Sequence, residues 1–370
     1  MTKAAELAKM GEVLTNSQIG GRRNIVINGG MQISQRATSA TGVGSGFAYP
    51  TLDRYKIVPS TSGRATMSQS TDAPDGFANS LKLECTTADT SIAAGEYFNI
   101  RQSLEGQDVQ QLKKGTSSAE KITVSFYVKG NASATYLLEL SDQDNTRYNG
   151  QTFAVTTSWN RIVLTYNGDT SGVLDNDNAR SLDLNFWLHG GSTYTGGTFT
   201  SNTWHGTDNQ RLASITSFFD STDREFFITG LQMEVGSQAT PFEHRSFGEE
   251  LALCQRYYFQ IGPYPSSSGY GALAIFSTAD GNSGFSLIDF PVYMRAEPTL
   301  THTGTATDYN LYVANSHKAG SGGFSISSGD TLKHTLLYTE HSSTTTAGQV
   351  GTLTTANNNT DAFLGFVAEL

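Results

Sequence analysis

Between residues 24 and 245 apolar and polar residues alternate with a period of two, in run after run, with Gly, Asn and Asp between the runs. IVING, DRYKIVPS, SLKLECT, YFNIRQSL, KITVSFYVKG, TYLLELSD, FAVTTSWNRIVLTYNGD, SLDLNFWLHGG and REFFITGLQMEVG are the strand candidates. A period of two places every second side chain on the same face, so each run buries one side and leaves the other for solvent or a partner. There is no βαβ pattern and no Gly-rich phosphate loop leading into a helix. Many short strands at this spacing imply an antiparallel sandwich whose strands switch between two sheets.

The expected fold class is therefore all-β: an antiparallel β-sandwich of jelly-roll type, then a second, smaller β-sandwich, with a short N-terminal helix. The expected divisions are residues 1–23, 24–245 and 246–370. SFGEELALCQRYYFQ interrupts the alternation at 246–260, where Glu249, Glu250, Leu251 and Leu253 suggest a short helical turn opening a new unit. Strands resume beyond it in RYYFQI, GALAIFSTA, GFSLIDFPVYMR, TLTHTG, NLYVAN, GFSISS, TLKHTLLYTE and AFLGFVAEL. At the other end, Ala4, Leu7, Ala8, Met10, Val13 and Leu14 recur at mostly helical spacing before Gly20-Gly21. A helix this short is marginal alone in water and needs a surface to bury its stripe.

Composition narrows the function classes. Aromatic residues reach 11%, charged ones only 16%, which suits a folded, turn-rich β protein rather than a disordered chain. The net charge is −10 and no basic cluster exceeds pairs such as Arg22-Arg23 and Lys113-Lys114. Nucleic-acid binding needs a basic face, so it is not expected, and neither is adhesion to anionic lipid. No apolar run has membrane length, and the N-terminus has no signal-peptide h-region, so membrane insertion and ordinary export are not expected. Cys85 and Cys254 are too few for a disulfide framework and read as buried small hydrophobes made in a reducing cytoplasm.

The segments GRRNIVINGGMQISQRATS, DRY, TSWNRIVLTYNGDTSG and ITGLQMEVGSQATPFEHRSFGEELALCQRYYFQI occur in this order. Together they resemble the tail-fibre and virion structural proteins of bacteriophages over residues 20–260, and more weakly in FPVYMRAEPTLT. TSWNRIVLTY and ITGLQMEVGSQATPFE are also similar to jelly-roll carbohydrate-binding modules. The resemblance implies a virion component made in the host cytoplasm, commonly a homotrimer, that contacts a host-surface glycan. It implies no catalytic residues. On this reading Leu7, Met10 and Leu14 attach the chain to other virion proteins or trimerise it. The alternatives are a purely architectural neck, collar or capsid-decoration protein, and a glycan depolymerase. No GxSxG elbow and no HExxH motif favours an enzyme.

In SLDLNFWLHGG, alternation sends Leu182, Leu184, Phe186 and Leu188 to the core and Asp183, Asn185, Trp187 and His189 to the other face. An aromatic plate beside hydrogen-bonding groups is how proteins hold sugars: C–H faces stack on the ring while hydroxyls pair with the polar groups. Tyr127 in KITVSFYVKG and Glu139 in TYLLELSD join this face if the strands are neighbours. The competing reading is a subunit interface or a face under a covering loop. A second candidate is the loop from His189 to His205, with Tyr194, Phe199 and Trp204 among small polar residues; its alternative is a loop pinned into the core by Trp204. Trp159 reads as a core or strand-edge anchor. No cofactor is expected, save that Asp142, Asp144 and Asn145, with Asp169, Asp175, Asp177 and Asp183, are candidate ligands for a structural calcium, against plain solvated turns.

Overall fold

In a computed structural model, which describes residues 3–4, 23–264, 269–326 and 332–370, the alternating runs become strands of two compact units that divide between Glu250 and Leu251. The N-terminal stripe of Leu7, Met10 and Leu14 lies outside the described residues. The first unit carries β1 (Ser39–Val43), β2 (Lys56–Ser60), β3 (Arg64–Ser70), β4 (Ser80–Thr87), β5 (Tyr97–Glu105), β6 (Ile122–Gly130), β7 (Ala134–Asp142), β8 (Arg147–Val155), β9 (Asn160–Tyr166), β10 (Arg180–Gly190) and β11 (Glu225–Val235). A helical turn, α1 (Ser192–Thr195), follows β10. A six-stranded sheet runs β1-β3-β4-β11-β6-β9 and a five-stranded sheet runs β2-β5-β10-β7-β8, all antiparallel. This is the expected jelly-roll-type sandwich.

The core lies between these sheets. Leu182, Leu184, Phe186 and Leu188 of β10 join Val124, Phe126 and Val128 of β6 and Phe226 and Ile228 of β11 in one buried cluster. Phe126 meets Phe186 edge-on across the two layers, with centroids 5.2 Å apart. Cys85 and Cys254 are both buried and not joined in a disulfide, and burial pushes the Cys85 thiol up to about 11.

One expected strand is something else. IVING is irregular, because Asn28 turns left-handed at φ 59° and its side chain takes over the local pairing. Its Nδ2 donates to the Ile33 carbonyl at 2.8 Å and the Asp53 carbonyl at 3.0 Å, and its Oδ1 accepts the N–H groups of Gln32 and Ile33, both at 2.9 Å. Asn tolerates this backbone region better than most residues.

The helix expected near residue 249 is α2 (Phe247–Gln255). Ser246 and Glu249 form a reciprocal capping box at its start: Glu249 N–H donates to Ser246 Oγ at 3.3 Å and Ser246 N–H to Glu249 Oε2 at 3.0 Å. The second unit continues with β12 (Tyr258–Ile261), β13 (Ala272–Thr278), β14 (Ser283–Asp289), β15 (Thr299–His302), β16 (Tyr309–Val313), β17 (Ser316–Ala319), β18 (Ser325–Ile326), β19 (His334–Glu340), β20 (Val350–Thr355) and β21 (Leu364–Val367). Its sheets are β12-β21-β15 and β17-β16-β20-β13-β14-β19-β18. Phe276, Phe290, Leu311, Leu337, Leu353 and Phe366 fill the space between them.

Candidate functional site

β10 runs through the middle of the five-stranded sheet, and its outward residues sit as alternation requires. The register sets Asn185 beside Arg101 of β5 and Glu139 of β7, and Trp187 beside Leu137. A line of alternating charge crosses this face. Arg180 Nε donates to Asp183 at 2.8 Å, and Asp183 stands 3.5 Å from Arg101. Arg101 Nε donates to Asn185 Oδ1 at 2.7 Å, and Asn185 Nδ2 to Glu139 Oε1 at 3.1 Å. Glu139 then accepts two bonds from the Arg211 guanidinium, at 2.7 and 2.8 Å. Burial works against the charge on Arg211, but the Glu139 carboxylate prevails and raises its affinity for the proton.

Arg211 belongs to a roof. The connection from β10 to β11, residues 191–224, folds back across the sheet and is fastened along its length. Gly191 N–H donates to the Glu96 carbonyl at 2.8 Å and Asn202 N–H to the Gly150 carbonyl at 3.0 Å. Tyr148 and His205 exchange N–H···O bonds of 2.7 and 3.0 Å. Thr216 and Phe218 bond the carbonyls of Thr135 and Leu188. Gly150 leaves the space Phe199 needs: a Cβ there would lie 3.2 Å from the Phe199 ring.

The roof changes what the expected sugar plate does. Trp187 is 1% exposed, packed with Leu137 and Leu212 beneath the Arg211 guanidinium, which lies 5.0 Å from its ring centroid. It is a buttress, not an open platform. Glu139, Asn185 and His189 do share its sheet face, all buried. Tyr127 does not: β6 belongs to the six-stranded sheet, where Tyr127 packs on Phe77 (centroids 5.4 Å). The β-bulge at Gly230, φ 62°, makes room for both rings, since a Cβ there would come within 2.7 Å of Phe77 and 2.9 Å of Tyr127. Trp204 packs against the inter-sheet core and donates its Nε1–H to the Asn167 carbonyl at 2.7 Å, so the pinned-loop alternative holds for it. Trp159 is the strand-edge anchor expected, bonded to Asp72 at 3.1 Å.

What remains partly open is the aromatic rim of the roof. Tyr97, Tyr194 and Phe199 are half-buried around Trp187. Tyr194 meets Tyr97 edge-on at 5.6 Å and Trp187 at 5.1 Å. The Arg211 guanidinium stands 3.9 Å from the centroid of Tyr148. Sequence reading missed Tyr97, Arg101, Tyr148 and Arg211. Tyr97 and Arg101 lie in the strand run YFNIRQSL, but Tyr148 falls in a stretch read as a turn, and no sequence signal pairs Arg211, inside GTDNQRLAS, with Glu139.

The acidic loops proposed as calcium ligands are organised by a resident cation. The Lys114 ammonium bonds Asp142, lies 3.1 Å from Asp169 Oδ2, and donates to the carbonyls of Ser171 at 3.0 Å and Gly172 at 2.8 Å. Arg147 adds two bonds to Asp169 at 2.6 and 2.9 Å. Burial disfavours the Asp169 carboxylate, yet its bonds to Arg147 and Lys114 prevail and hold it below the usual range. Asp144 accepts the Asp175 N–H at 2.9 Å, an ordinary turn contact, and Asp183 is taken by Arg180.

No family model matches this sequence, and no curated protein does. Among solved structures, the chain is similar to a carbohydrate-binding module of family 4 at 10% identity, covering 56% of this chain and 97% of that one, with a TM-score of 0.30. It is similar to a family 11 carbohydrate-binding module from a cellulosomal cellulase of Clostridium thermocellum at 12% identity, covering 56% and 98%, with a TM-score of 0.27. It is also similar to the module TmCBM61, solved in complex with β-1,4-galactotriose, at 10% identity, covering 58% and 99%, with a TM-score of 0.28.

Proposed function

We propose that this chain is a bacteriophage virion protein, a tail fibre or fibre-like appendage, whose first unit binds a host-surface glycan at the aromatic rim of the roofed sheet. The carrying observation is the preorganised cluster of Tyr97, Tyr194 and Phe199, half-open and backed by Trp187 and Arg211. Rings already fixed by packing lose little conformational freedom when a sugar stacks on them. The exposed Asp208 carboxylate, 3.6 Å from Arg211, stands at the same rim to accept sugar hydroxyls. Each such contact is weak, and a homotrimer gains avidity by presenting three. The virion assignment rests on the sequence resemblance, with residues 1–23 as the attachment segment.

The test is binding of the purified full chain to host cells and to a broad glycan array, with Tyr97→Ala/Tyr194→Ala alongside. Retention on cells that the double variant loses, with its unfolding midpoint little changed, supports the reading. Failure of the wild type to bind any glycan or cell refutes it. For the attachment segment, deletion of residues 1–19 is expected to give a folded protein missing from particles; normal incorporation refutes that part.

A second reading, a purely architectural protein, is favoured by one observation. The outer face of the seven-stranded sheet carries an apolar row that the described residues leave open, with Ile275 73% and Leu287 55% exposed. Aromatic and aliphatic faces of this kind mark protein contacts. Assembly of particles without any affinity for cells would select this reading.

A further inference from the structure

We propose that Asp89, Glu96 and His189 form a binding site for a borderline divalent transition cation of the zinc class. The site is independent of the glycan reading. Asp89 lies just past β4, Glu96 just before β5, and His189 near the end of β10, so the fold brings together three segments that are far apart in sequence. One donor atom from each lies within 4.8 Å of the other two. Ligands on one tetrahedral zinc stand about 3.4 Å apart, from bond lengths of about 2.0–2.1 Å, so a modest inward shift closes the set. Glu96 can supply it, because its side chain is 19% exposed while the other two are buried.

The second observation is the imidazole. His189 Nε2 is buried without a hydrogen-bond partner and stands 4.0 Å from Glu96 Oε2. A buried polar nitrogen left unpaired is costly, and one facing two carboxylates invites a cation. Its other nitrogen is already engaged. Nδ1 lies 2.8 Å from Ser217 Oγ, which also accepts the Phe219 N–H at 3.1 Å. With Nδ1–H donating to Ser217, the lone pair is left on Nε2, the tautomer a metal needs. Asp89 is held in the same manner: Thr61 Oγ1 at 2.5 Å and Ser62 N at 3.0 Å both bond Oδ2 and leave Oδ1 for the ion. One imidazole with two carboxylates suits zinc better than calcium, which favours oxygen ligands alone.

The test is calorimetric titration of chelator-treated full chain with Zn2+ alone, and then with Ca2+ alone. One Zn2+ per chain is expected, with affinity falling at least about tenfold in His189→Gln and in Glu96→Gln, and no comparable response to Ca2+. Should His189→Gln fail to fold, Glu96→Gln carries the test, because its carboxyl is partly exposed. Absence of stoichiometric Zn2+ binding, unchanged affinity in the folded variants, or a preference for Ca2+ overturns the proposal.

Discussion

The two units expose opposite kinds of sheet face. On the five-stranded sheet of the first unit, the outward row reads Arg101, Asn185, Glu139, and a fastened loop covers it. On the seven-stranded sheet of the second, the outward row passes from Tyr312 to Thr352 to Ile275 by direct pairing. Phe276 pairs with Ser286, which sets Ile275 and Leu287 side by side, and Leu287 pairs with Leu336. The buried face is the polar one and the bare face is the apolar one. A polar row can be buried because every charge in it has a partner. An apolar row left uncovered by the described residues gains from contact with something else.

The largest expected effect breaks the buried row. Arg211→Ala strips Glu139 of both guanidinium bonds and leaves a carboxylate under the roof, a loss of about 3–5 kcal/mol by the usual cost of orphaning a buried charge. Chemical denaturation with a probe in the first unit measures it. A loss under about 1 kcal/mol would mean that the roof lifts and water reaches Glu139, and the contrast between the two faces would collapse. Glu139→Gln/Arg211→Gln is expected to recover part of the loss, because no lone charge remains.

Next comes Lys114, the internal cation. Lys114→Ala leaves Asp142 and Asp169 facing each other across carbonyls of Ser171 and Gly172, and costs about 3 kcal/mol or more. It also uncovers an all-oxygen nest. Millimolar Ca2+ is expected to restore part of the variant's melting temperature and to leave the wild type unmoved at this locus. Equal calcium responses in both proteins would refute the view that the ammonium stands in for a metal.

A smaller effect is set by acid. Asp169 is held below its ordinary value of 3.8 in the folded state. The unfolded chain therefore takes up the proton first as pH falls, and the stability Asp169 contributes is complete above 3.8 and lost below it. Unfolding midpoints of the wild type are expected to drop more steeply below that pH than those of Asp169→Asn. Parallel curves would show that the Lys114 and Arg147 bonds bring no net stabilisation.

Alternation made the inside of both units legible. Leu182, Leu184, Phe186 and Leu188 went to the core because a period of two has one consistent burial. It left open what each outward side would meet. Tyr127 and Trp187 look equivalent in sequence, yet one sits on the six-stranded sheet and the other under a roof, since strand order depends on contacts between residues far apart in the chain. The roof itself carries no periodicity, only Gly, Ser, Thr and scattered aromatics. IVING failed as a strand because Asn28 satisfies four backbone groups from its side chain, which no propensity scale sees. β3 and β20 do not stand out in the sequence because RATMSQS is mostly polar and VGTLTT is Thr-rich. The Asp89–Glu96–His189 cluster was invisible for the same reason as strand order.

The smallest expected effect on stability belongs to the bare face, and it is the most discriminating. Ile275→Ser/Leu287→Ser removes apolar surface that the described residues leave exposed, so each change should alter unfolding free energy by no more than about 0.5 kcal/mol. If the row is where copies of the chain meet, the same pair of substitutions should convert a trimer to monomers in sedimentation velocity at micromolar concentration. A wild type that is monomeric to begin with, or a variant that stays trimeric, separates exposure from assembly and leaves this face without a role in self-association. A variant that both dissociates and loses several kcal/mol would show that the units fold only as an assembly. The two sheet faces would then differ in which chain supplies the cover, not in whether they are covered.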